Sequence, residues 1–324
     1  MKKKVFIGLT YGDPTGIGPE ILTKVLAKWK HDSIPYIVGA NDYFKKIKIS
    51  GSKKSKFHFH SIDGLNFNFK PGQPSSISGK HAYECLKLST ELALKKKISS
   101  LITGPVSKEM INKANIQFSG QTETLAKICN INPDKTIMLF NAKDLRLALY
   151  TRHIPLKDVS SKITQKKLID FLTILNSELK KWFKISNPKI AILGLNPHAS
   201  ENSLFGNEEQ RIILPVIKKL NKSGFNITGP LSPDATLAKA GQDFLLNRKQ
   251  RFDCFVSFYH DQGLPMFKAV AGLNGLNITL GLPFLRISVD HGTAFDIAGK
   301  NKALPDGLQS AIKFAETTIL NRRK

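Results

Sequence analysis

The feature that most constrains the fold of this chain is the alternation of short apolar runs, typical of β-strands, with longer segments of helical periodicity. In residues 78–97, apolar side chains recur at the spacing that lines one face of a helix. Strand patterns lie at 5–10, 34–40, 57–62, 100–106, 136–140, 145–151, 189–196, 225–231, 253–259 and 277–280. Helical patterns lie at 19–30, 78–97, 108–115, 164–183, 208–222 and 308–322. Because such a series packs as a mostly parallel sheet with helices on both faces, the sequence predicts an α/β fold.

The composition indicates a globular protein without a membrane span. Hydrophobic residues make up 41% of the 324 positions, so the chain can bury a core. None of its apolar runs approaches the roughly 18 residues that a transmembrane helix requires. The three cysteines, Cys85, Cys129 and Cys254, are far apart and in no metal-binding spacing, which favours a reducing cytoplasm. The length suggests two domains or one large α/β unit.

The formal net charge of +24 invites a nucleic-acid-binding interpretation, which the distribution of the charge disfavours. The chain has 41 lysines but only 8 arginines, and the lysines are scattered along its whole length. Phosphate and base recognition relies on arginine forks, so a solvated lysine-rich surface is the better explanation. We therefore expect no nucleic-acid or membrane partner. A nucleic-acid-binding protein remains the alternative from another functional class, and its binding would weaken steeply with salt.

Two polar segments follow predicted strands, where open α/β sheets bind their ligands. Residues 12–20, GDPTGIGPE, combine glycines that allow a tight turn with Pro19, which suits a helix start. Residues 119–123, SGQTE, place amide and hydroxyl groups before a helical pattern at 124–129. The free amides of a helix start favour a phosphate or carboxylate. The alternatives are an ordinary strand–helix turn and a simple N-cap role for Thr122.

Three of the eight histidines, His153, His198 and His260, occupy polar segments that follow predicted strands. Side chains at the carboxyl ends of different parallel strands converge on one crevice. Three imidazole ligands that leave one coordination position of the metal open are typical of a catalytic divalent-metal site. The alternative is that each is an ordinary structural histidine.

Two further segments carry groups that suit an anionic substrate and a nucleotide. Lys268, Asn277 and Arg286 could clamp a phosphorylated or carboxylated molecule. Residues 290–300, DHGTAFDIAGK, form a polar loop with two carboxylates, and an acidic residue in a nucleotide site often binds a ribose hydroxyl. Surface charges and a loop stiffened by Asx turns are the respective alternatives.

These segments together resemble the 4-hydroxythreonine-4-phosphate dehydrogenase family of pyridoxal phosphate biosynthesis. The resemblance runs nearly end to end and includes GDPTGIGPE at 12–20, TGPVSKE at 103–109, GQTE at 120–123, GLNPHASE at 194–201, GPLSPDAT at 229–236, YHDQGLPMFK at 259–268 and NITLGLPFLRISVDHGTA at 277–294. The first and last loops also resemble those of isocitrate and isopropylmalate dehydrogenases. The implied fold has two α/β/α domains with mostly parallel sheets and an active-site cleft between them. We expect the first domain to comprise 1–118 with 285–324, and the second, 119–284, to carry the metal and dimer contacts.

The resemblance also implies roles for individual residues. The implied metal ligands are His153, His198 and His260. The implied substrate contacts are Gln121, Thr122, Lys268, Asn277 and Arg286. The implied nucleotide contacts are Gly12, Asp13, His291 and Asp296. Proton transfer falls to Asp234 or Lys268.

Two residues depart from the family pattern. The family usually has histidine at the position of Gln121 and glycine at that of Ser200. The first departure bears on which substrate is bound, whereas we expect the second to be tolerated.

The reaction that the resemblance implies is a metal-assisted alcohol oxidation. An enzyme that uses NAD, with NADP as an alternative acceptor, would oxidise 4-phosphohydroxy-L-threonine with the help of one divalent ion of zinc, magnesium or cobalt. The resulting 2-amino-3-oxo-4-phosphooxybutanoate then loses carbon dioxide to give 3-amino-2-oxopropyl phosphate. The family implies a cytoplasmic homodimer with an active site at the subunit interface. The alternative substrate is a related phosphorylated hydroxy acid, threonate or erythronate phosphate.

Overall fold

The computed structural model describes residues 4–46, 56–62 and 64–322. The chain divides into two compact units, Met1–Pro133 with Leu282–Lys324 and Asp134–Gly281. Residues 119–133 and 282–284, which we expected in the second domain, thus belong to the first unit.

The first unit contains a five-stranded parallel sheet in the order β3-β2-β1-β4-β11. Its strands are β1 (Phe6–Thr10), β2 (Ile34–Gly39), β3 (His58–Ser61), β4 (Ser100–Thr103) and β11 (Leu285–Val289). Its helices are α1 (Gly18–Ala27), α2 (Asn41–Lys46), α3 (Ser76–Leu94), α4 (Lys108–Lys113), α5 (Gln121–Ile128) and α11 (Asp306–Asn321). Helix α3 packs against β1, β2 and β4, whereas α11 packs against β1, β4, β11 and α1.

The second unit contains a mixed sheet in the order β10-β5-β6-β9-β7-β8. Its strands are β5 (Ile137–Ala142), β6 (Leu145–Leu149), β7 (Lys189–Leu193), β8 (Asn226–Leu231), β9 (Cys254–Ser257) and β10 (Leu276–Leu280). The helices are α6 (Val159–Lys162), α7 (Gln165–Phe183), α8 (Leu214–Lys222), α9 (Pro233–Leu245) and α10 (His260–Ala271). Strands β6, β9, β7 and β8 are parallel to one another, and β5 is antiparallel to both of its neighbours.

Each unit has a core built from the apolar faces of these elements. In the first, Leu86 of α3 and Leu101 of β4 belong to one buried cluster. In the second, Leu147 of β6 packs in a cluster with Leu264 and Phe267 of α10. Strands such as β4, β5 and β9 are buried at every position, which explains the short apolar runs in the sequence, whereas helices such as α7 bury one face. The prediction of an α/β fold with mostly parallel strands is confirmed.

A buried carboxylate fixes one end of the second unit. Glu178 of α7 accepts hydrogen bonds from the indole N–H of Trp182 (2.8 Å) and from the backbone N–H of Gly281 (3.0 Å). A Cβ at Gly281, whose φ is +87°, would lie 2.2 Å from the carbonyl oxygen of Lys135. The two segments that join the units therefore meet in one tightly packed corner of the second unit.

Five of these elements have no counterpart among the sequence predictions: the strand β11 and the helices α2, α6, α9 and α10. Helix α10 carries Gly263 and Pro265 in its interior, and both residues weaken a helical pattern. Strand β11 follows the turn at 281–283 directly, so its apolar run merges with that of the preceding strand. Among the described residues, no helix is long and apolar enough to cross a membrane.

Helix α7 begins after an N-cap formed by Thr164. The Thr164 hydroxyl accepts a hydrogen bond from the backbone N–H of Lys167 (3.3 Å). We expect Thr164→Ala to lower the free energy of unfolding by about 1 kcal/mol, because this N–H loses its partner. Thr164→Ser keeps the hydroxyl and should stay near the wild-type value in urea unfolding. Equal stability of Thr164→Ala and wild type would contradict the capping role.

Candidate active site

The loop after β1 is buried and held by its own side chains. Gly12 has φ +74°, and a Cβ there would lie 2.1 Å from the carbonyl oxygen of Pro105, so only glycine fits. Asp13 is fully buried, and its Oδ1 accepts hydrogen bonds from the backbone N–H (2.9 Å) and the hydroxyl (2.6 Å) of Thr15. The Asp13 carboxylate therefore shapes the loop, and its contact with a nucleotide stays a prediction.

A buried hydrogen-bonded chain lies directly before this loop. The Tyr11 hydroxyl accepts from the backbone N–H of Ala40 (3.0 Å) and lies 2.5 Å from Nε2 of His81. Burial lowers the pKa of His81 to about 4, opposed by a hydrogen bond with the backbone of Asn66. His81 is therefore neutral near pH 7, and the Tyr11 hydroxyl donates a hydrogen bond to its Nε2 atom. Our sequence analysis did not single out Tyr11 or His81, because neither motif nor spacing distinguishes them.

The second loop of the first unit lies against the first one. The backbone N–H of Ile17 donates to the carbonyl of Thr293 (2.9 Å). His291 donates through Nδ1 to the carbonyl of Gly292 (3.0 Å), while its Nε2 is buried and has no hydrogen-bond partner among the described residues. Asp296 is exposed. The loop thus offers one imidazole nitrogen and one carboxylate to a ligand, which suits the predicted nucleotide contacts.

A buried guanidinium lies at the start of α5. Arg286 of β11 is 2% exposed, and its Nη2 donates to Thr103 Oγ1 (2.7 Å) and to Gln121 Oε1 (2.9 Å). Gln121 in turn donates through Nε2 to the carbonyl of Gly104 (3.2 Å). Burial lowers the pKa of Arg286 to about 10, partly offset by the charge of Glu123, so the side chain stays cationic at neutral pH. The structure therefore brings the predicted residues Gln121 and Arg286 together.

The surroundings of this guanidinium include a residue that the sequence analysis missed. Thr103 ends β4 and opens the motif TGPVSKE, but a threonine at a strand end gives no separate signal. Thr122 is buried at the start of α5, whose N-cap is Gly120. The alternative that Thr122 caps this helix is therefore wrong, and the helix begins at Gln121, three residues before the predicted start.

In the second unit, the three predicted histidines follow three neighbouring parallel strands, β6, β9 and β7. The ring centroids of His153 and His260 are 5.7 Å apart. His260 is the first residue of α10, and its Nδ1 lies 3.2 Å from Oδ1 of Asp261. A carboxylate at Nδ1 fixes the tautomer that leaves Nε2 available to a metal, and Asp261 was not predicted. Two of the three histidines thus suit a shared ion.

His198 forms no metal-binding group of three with this pair among the described residues. It is exposed and lies on a left-handed turn after β7, with φ +51°. No group of three or more potential metal ligands occurs among the residues that the structure describes. Imidazole nitrogens are suitable ligands for a divalent ion. Within one chain, however, only two of the three predicted histidines, His153 and His260, are shown to lie close together.

Asp234, at the start of α9, has electrostatic contact with His198. A hydrogen bond from the Ser232 hydroxyl, at 2.5 Å, is the largest cause that lowers the pKa of Asp234, and His198 lowers it further. Asp234 is therefore a carboxylate at neutral pH and a weak proton acceptor. Of the remaining predicted residues, Lys268 is exposed on α10, and Asn277 is partly buried on β10 opposite Phe140.

Comparison with known proteins adds a family to this geometry. A family model described as pyridoxal phosphate biosynthetic protein PdxA matches residues 22–315. A 4-hydroxythreonine-4-phosphate dehydrogenase of Sulfurihydrogenibium sp. is 42% identical, with 98% of this chain and 99% of that protein covered. A protein of Oceanobacillus iheyensis named as a D-threonate 4-phosphate dehydrogenase is 35% identical, with 98% and 100% covered. The crystal structure of the 4-hydroxythreonine-4-phosphate dehydrogenase of Klebsiella pneumoniae has a TM-score of 0.83 at 30% identity, with 98% and 100% covered.

The lowered pKa of His81 predicts a loss of stability in acid. The unfolded chain binds a proton near pH 6.5, whereas the folded chain binds it only near pH 4. The free energy of unfolding should therefore fall between these values as the pH is lowered, by at most about 3 kcal/mol from this group. His81→Gln cannot titrate, so its urea unfolding should show a smaller loss between pH 7 and pH 5. Parallel pH profiles of variant and wild type would contradict this assignment.

Proposed function

Because this chain belongs to the PdxA family of pyridoxal phosphate biosynthetic proteins and is an oxidoreductase, we propose that it oxidises 4-phosphohydroxy-L-threonine with NAD as the acceptor. The product, 2-amino-3-oxo-4-phosphooxybutanoate, is a β-keto acid that loses carbon dioxide to give 3-amino-2-oxopropyl phosphate. The observation that carries the proposal is the buried guanidinium of Arg286, held by Gln121 and Thr103. A fixed cation with two oriented partners suits a phosphate or carboxylate.

The substrate carries two anionic groups, and the chain offers a cation for each. Arg286 neutralises one of them from a rigid position, because its two hydrogen bonds leave it little rotational freedom. Lys268 neutralises the other from the exposed surface of α10. Thr122 and Asn277 supply neutral hydrogen bonds that orient the substrate.

The chain's own groups suit a nicotinamide cofactor. The buried Nε2 atom of His291 has a hydrogen bond still to make, and Asp296 offers its carboxylate to a ribose hydroxyl. A carboxylate in that position repels a 2′-phosphate, which favours NAD over NADP. Gly12 lets the loop pack against the backbone at Pro105, and Asp13 keeps the loop in shape, so both residues support the proposed cofactor site.

His153, His198 and His260 would hold one divalent ion, and imidazole ligands favour zinc or cobalt over magnesium. When bound, such an ion lowers the pKa of the substrate hydroxyl and stabilises negative charge that develops on its oxygen. Since one chain brings only His153 and His260 close together, we propose that a second copy completes the ligand set in a homodimer. Asp261 orients His260 for this task.

The proton of the substrate hydroxyl needs an acceptor, and the two predicted candidates differ. Asp234 has a lowered pKa, so its carboxylate is a weak acceptor for this proton. Lys268 can accept this proton only as a neutral amine, so its role in proton transfer and its neutralisation of a substrate anion belong to different protonation states. The three free cysteines suit a reducing cytoplasm as the site of this reaction.

A coupled assay with 4-phosphohydroxythreonine and NAD tests the proposal directly. We expect NADH formation that a chelator abolishes and that added zinc or cobalt restores. His198→Ala should lower both bound metal and turnover, because a ligand is lost, whereas His58→Ala, a change outside the site, should leave both unchanged. Wild-type metal content and turnover in His198→Ala would refute the metal assignment.

The alternative function is oxidation of a phosphorylated sugar acid. It is favoured by Gln121, which replaces the usual histidine, and by the relative named for D-threonate 4-phosphate. The two substrates differ in an amino or hydroxyl group but share the phosphate and the carboxylate. Their kcat/KM values in the wild-type protein therefore distinguish the two functions, and a clear preference for threonate phosphate would overturn the first.

The role of Arg286 predicts an effect that both substrates share. Arg286→Gln removes charge-assisted hydrogen bonds worth about 1.5–3 kcal/mol, so kcat/KM should fall by about 10- to 100-fold for either substrate. Arg286→Lys keeps the charge without the fork and should lose less. Circular dichroism confirms that the variants fold. An unchanged kcat/KM in folded Arg286→Gln would exclude an anion-binding role.

A further inference from the structure

The loop that carries His198 has an unusual backbone. Six consecutive residues, 198–203, adopt positive φ values between 43° and 74°, and none of them is glycine. Residues with a Cβ avoid this region because the Cβ approaches the following carbonyl oxygen. A run of this length persists only where the surrounding structure determines it, and such runs concentrate at functional sites.

A buried carboxylate holds the start of this loop. Glu209 is fully buried, and its Oε1 accepts from the backbone N–H of Asn196 (2.8 Å) while its Oε2 accepts from the Asn196 side-chain amide (3.0 Å). Both oxygens thus bind one residue, two positions before His198. Glu209 opens a π-helical turn, Glu209–Ile213, that runs into α8. Such turns are rare and frequently occur at functional sites.

Close packing fixes the loop from its other sides. A Cβ at Gly194 would lie 2.6 Å from the Cα of Ala199, and a Cβ at Gly206 would lie 2.7 Å from Nδ2 of Asn196. The hydroxyl of Ser200, which is buried, donates to the carbonyl of Gly206. The base of the loop is therefore rigid, although His198 itself is exposed.

We propose that Glu209 is the positioning residue of His198: through its two hydrogen bonds to Asn196, it holds the left-handed turn in the conformation that presents the imidazole to a divalent cation. The inference rests on the proposed metal role of His198. Glu209 itself touches neither the cation nor the substrate. The neighbouring residue Glu208 accepts a hydrogen bond from the Asn196 side-chain amide (3.0 Å) but not from the Asn196 backbone N–H, and it also accepts one from the Ser160 hydroxyl (2.6 Å). Glu208 therefore provides a matched control.

The test compares Glu209→Gln with Glu208→Gln in the full-length protein, with Co²⁺ as the probe. In Glu209→Gln an NH2 group replaces one of the two carboxylate oxygens that accept hydrogen bonds from Asn196, so one of these bonds is lost. We therefore expect Co²⁺ affinity, measured by visible absorption, to fall about 10- to 100-fold. Amide hydrogen exchange in 196–206 should become faster. Glu208→Gln should stay within a few-fold of wild type in both measurements. Saturating Co²⁺ should restore the turnover of Glu209→Gln, which damage to the fold would not allow.

The remaining outcomes separate this inference from the proposed function. If Glu209→Gln binds Co²⁺ as tightly as wild type while His198→Ala does not, the positioning role is refuted and the metal role stands. If His198→Ala keeps wild-type affinity, the metal role fails, and the inference fails with it. Should Glu209→Gln not fold, Asn196→Ala removes the side-chain half of the contact and leaves Glu209 in place. A folded Asn196→Ala with wild-type Co²⁺ affinity and exchange would equally overturn the proposal.

Discussion

Parallel strand pairing is the constraint on which the candidate site depends. In parallel strands, every carboxyl end faces the same edge of the sheet, so the segments that follow neighbouring strands meet there. Strands β6, β9 and β7 are neighbours, and His153, His260 and His198 come from the segments that follow them. In the first unit, the loop after β1 and the residue Thr103 at the end of β4 arise in the same way. The sheets thus gather residues that are far apart in sequence.

Three buried charged side chains also fix the positions of neighbouring segments. Arg286, Glu178 and Glu209 are each nearly or fully removed from solvent, and each binds oriented polar partners. An uncompensated buried charge is unfavourable, so every one of these side chains fixes the position of what it binds. Arg286 is held by Thr103 and Gln121, Glu178 fixes the segment at Gly281, and Glu209 fixes the base of the His198 loop. The same physical rule thus produces one proposed binding group and two supports.

The sequence predicts the fold better than it predicts the supports of the site. Strand–helix alternation is a property of local periodicity, and helix α7 could be predicted directly from its pattern at 164–183. Helix α10 could not, because Gly263 and Pro265 obscure its pattern. The pairing of Gln121 with Arg286 and of Asn196 with Glu209 depends on how distant segments pack, which no spacing encodes. The approach of His153 to His260 follows from strand order, which the sequence alone leaves open.

The left-handed turn at 198–203 has a thermodynamic consequence. Glycines would suit its backbone better, but glycines would also leave the free loop with many more conformations to lose on binding. With side chains such as Ser200, whose hydroxyl donates a hydrogen bond to the Gly206 carbonyl, the loop has already lost that conformational freedom when the chain folds. A ligand that binds His198 therefore meets a preorganised imidazole and has little backbone entropy left to overcome. Binding at this residue should accordingly be accompanied by a small ordering entropy, with the strain carried by the fold rather than by the complex.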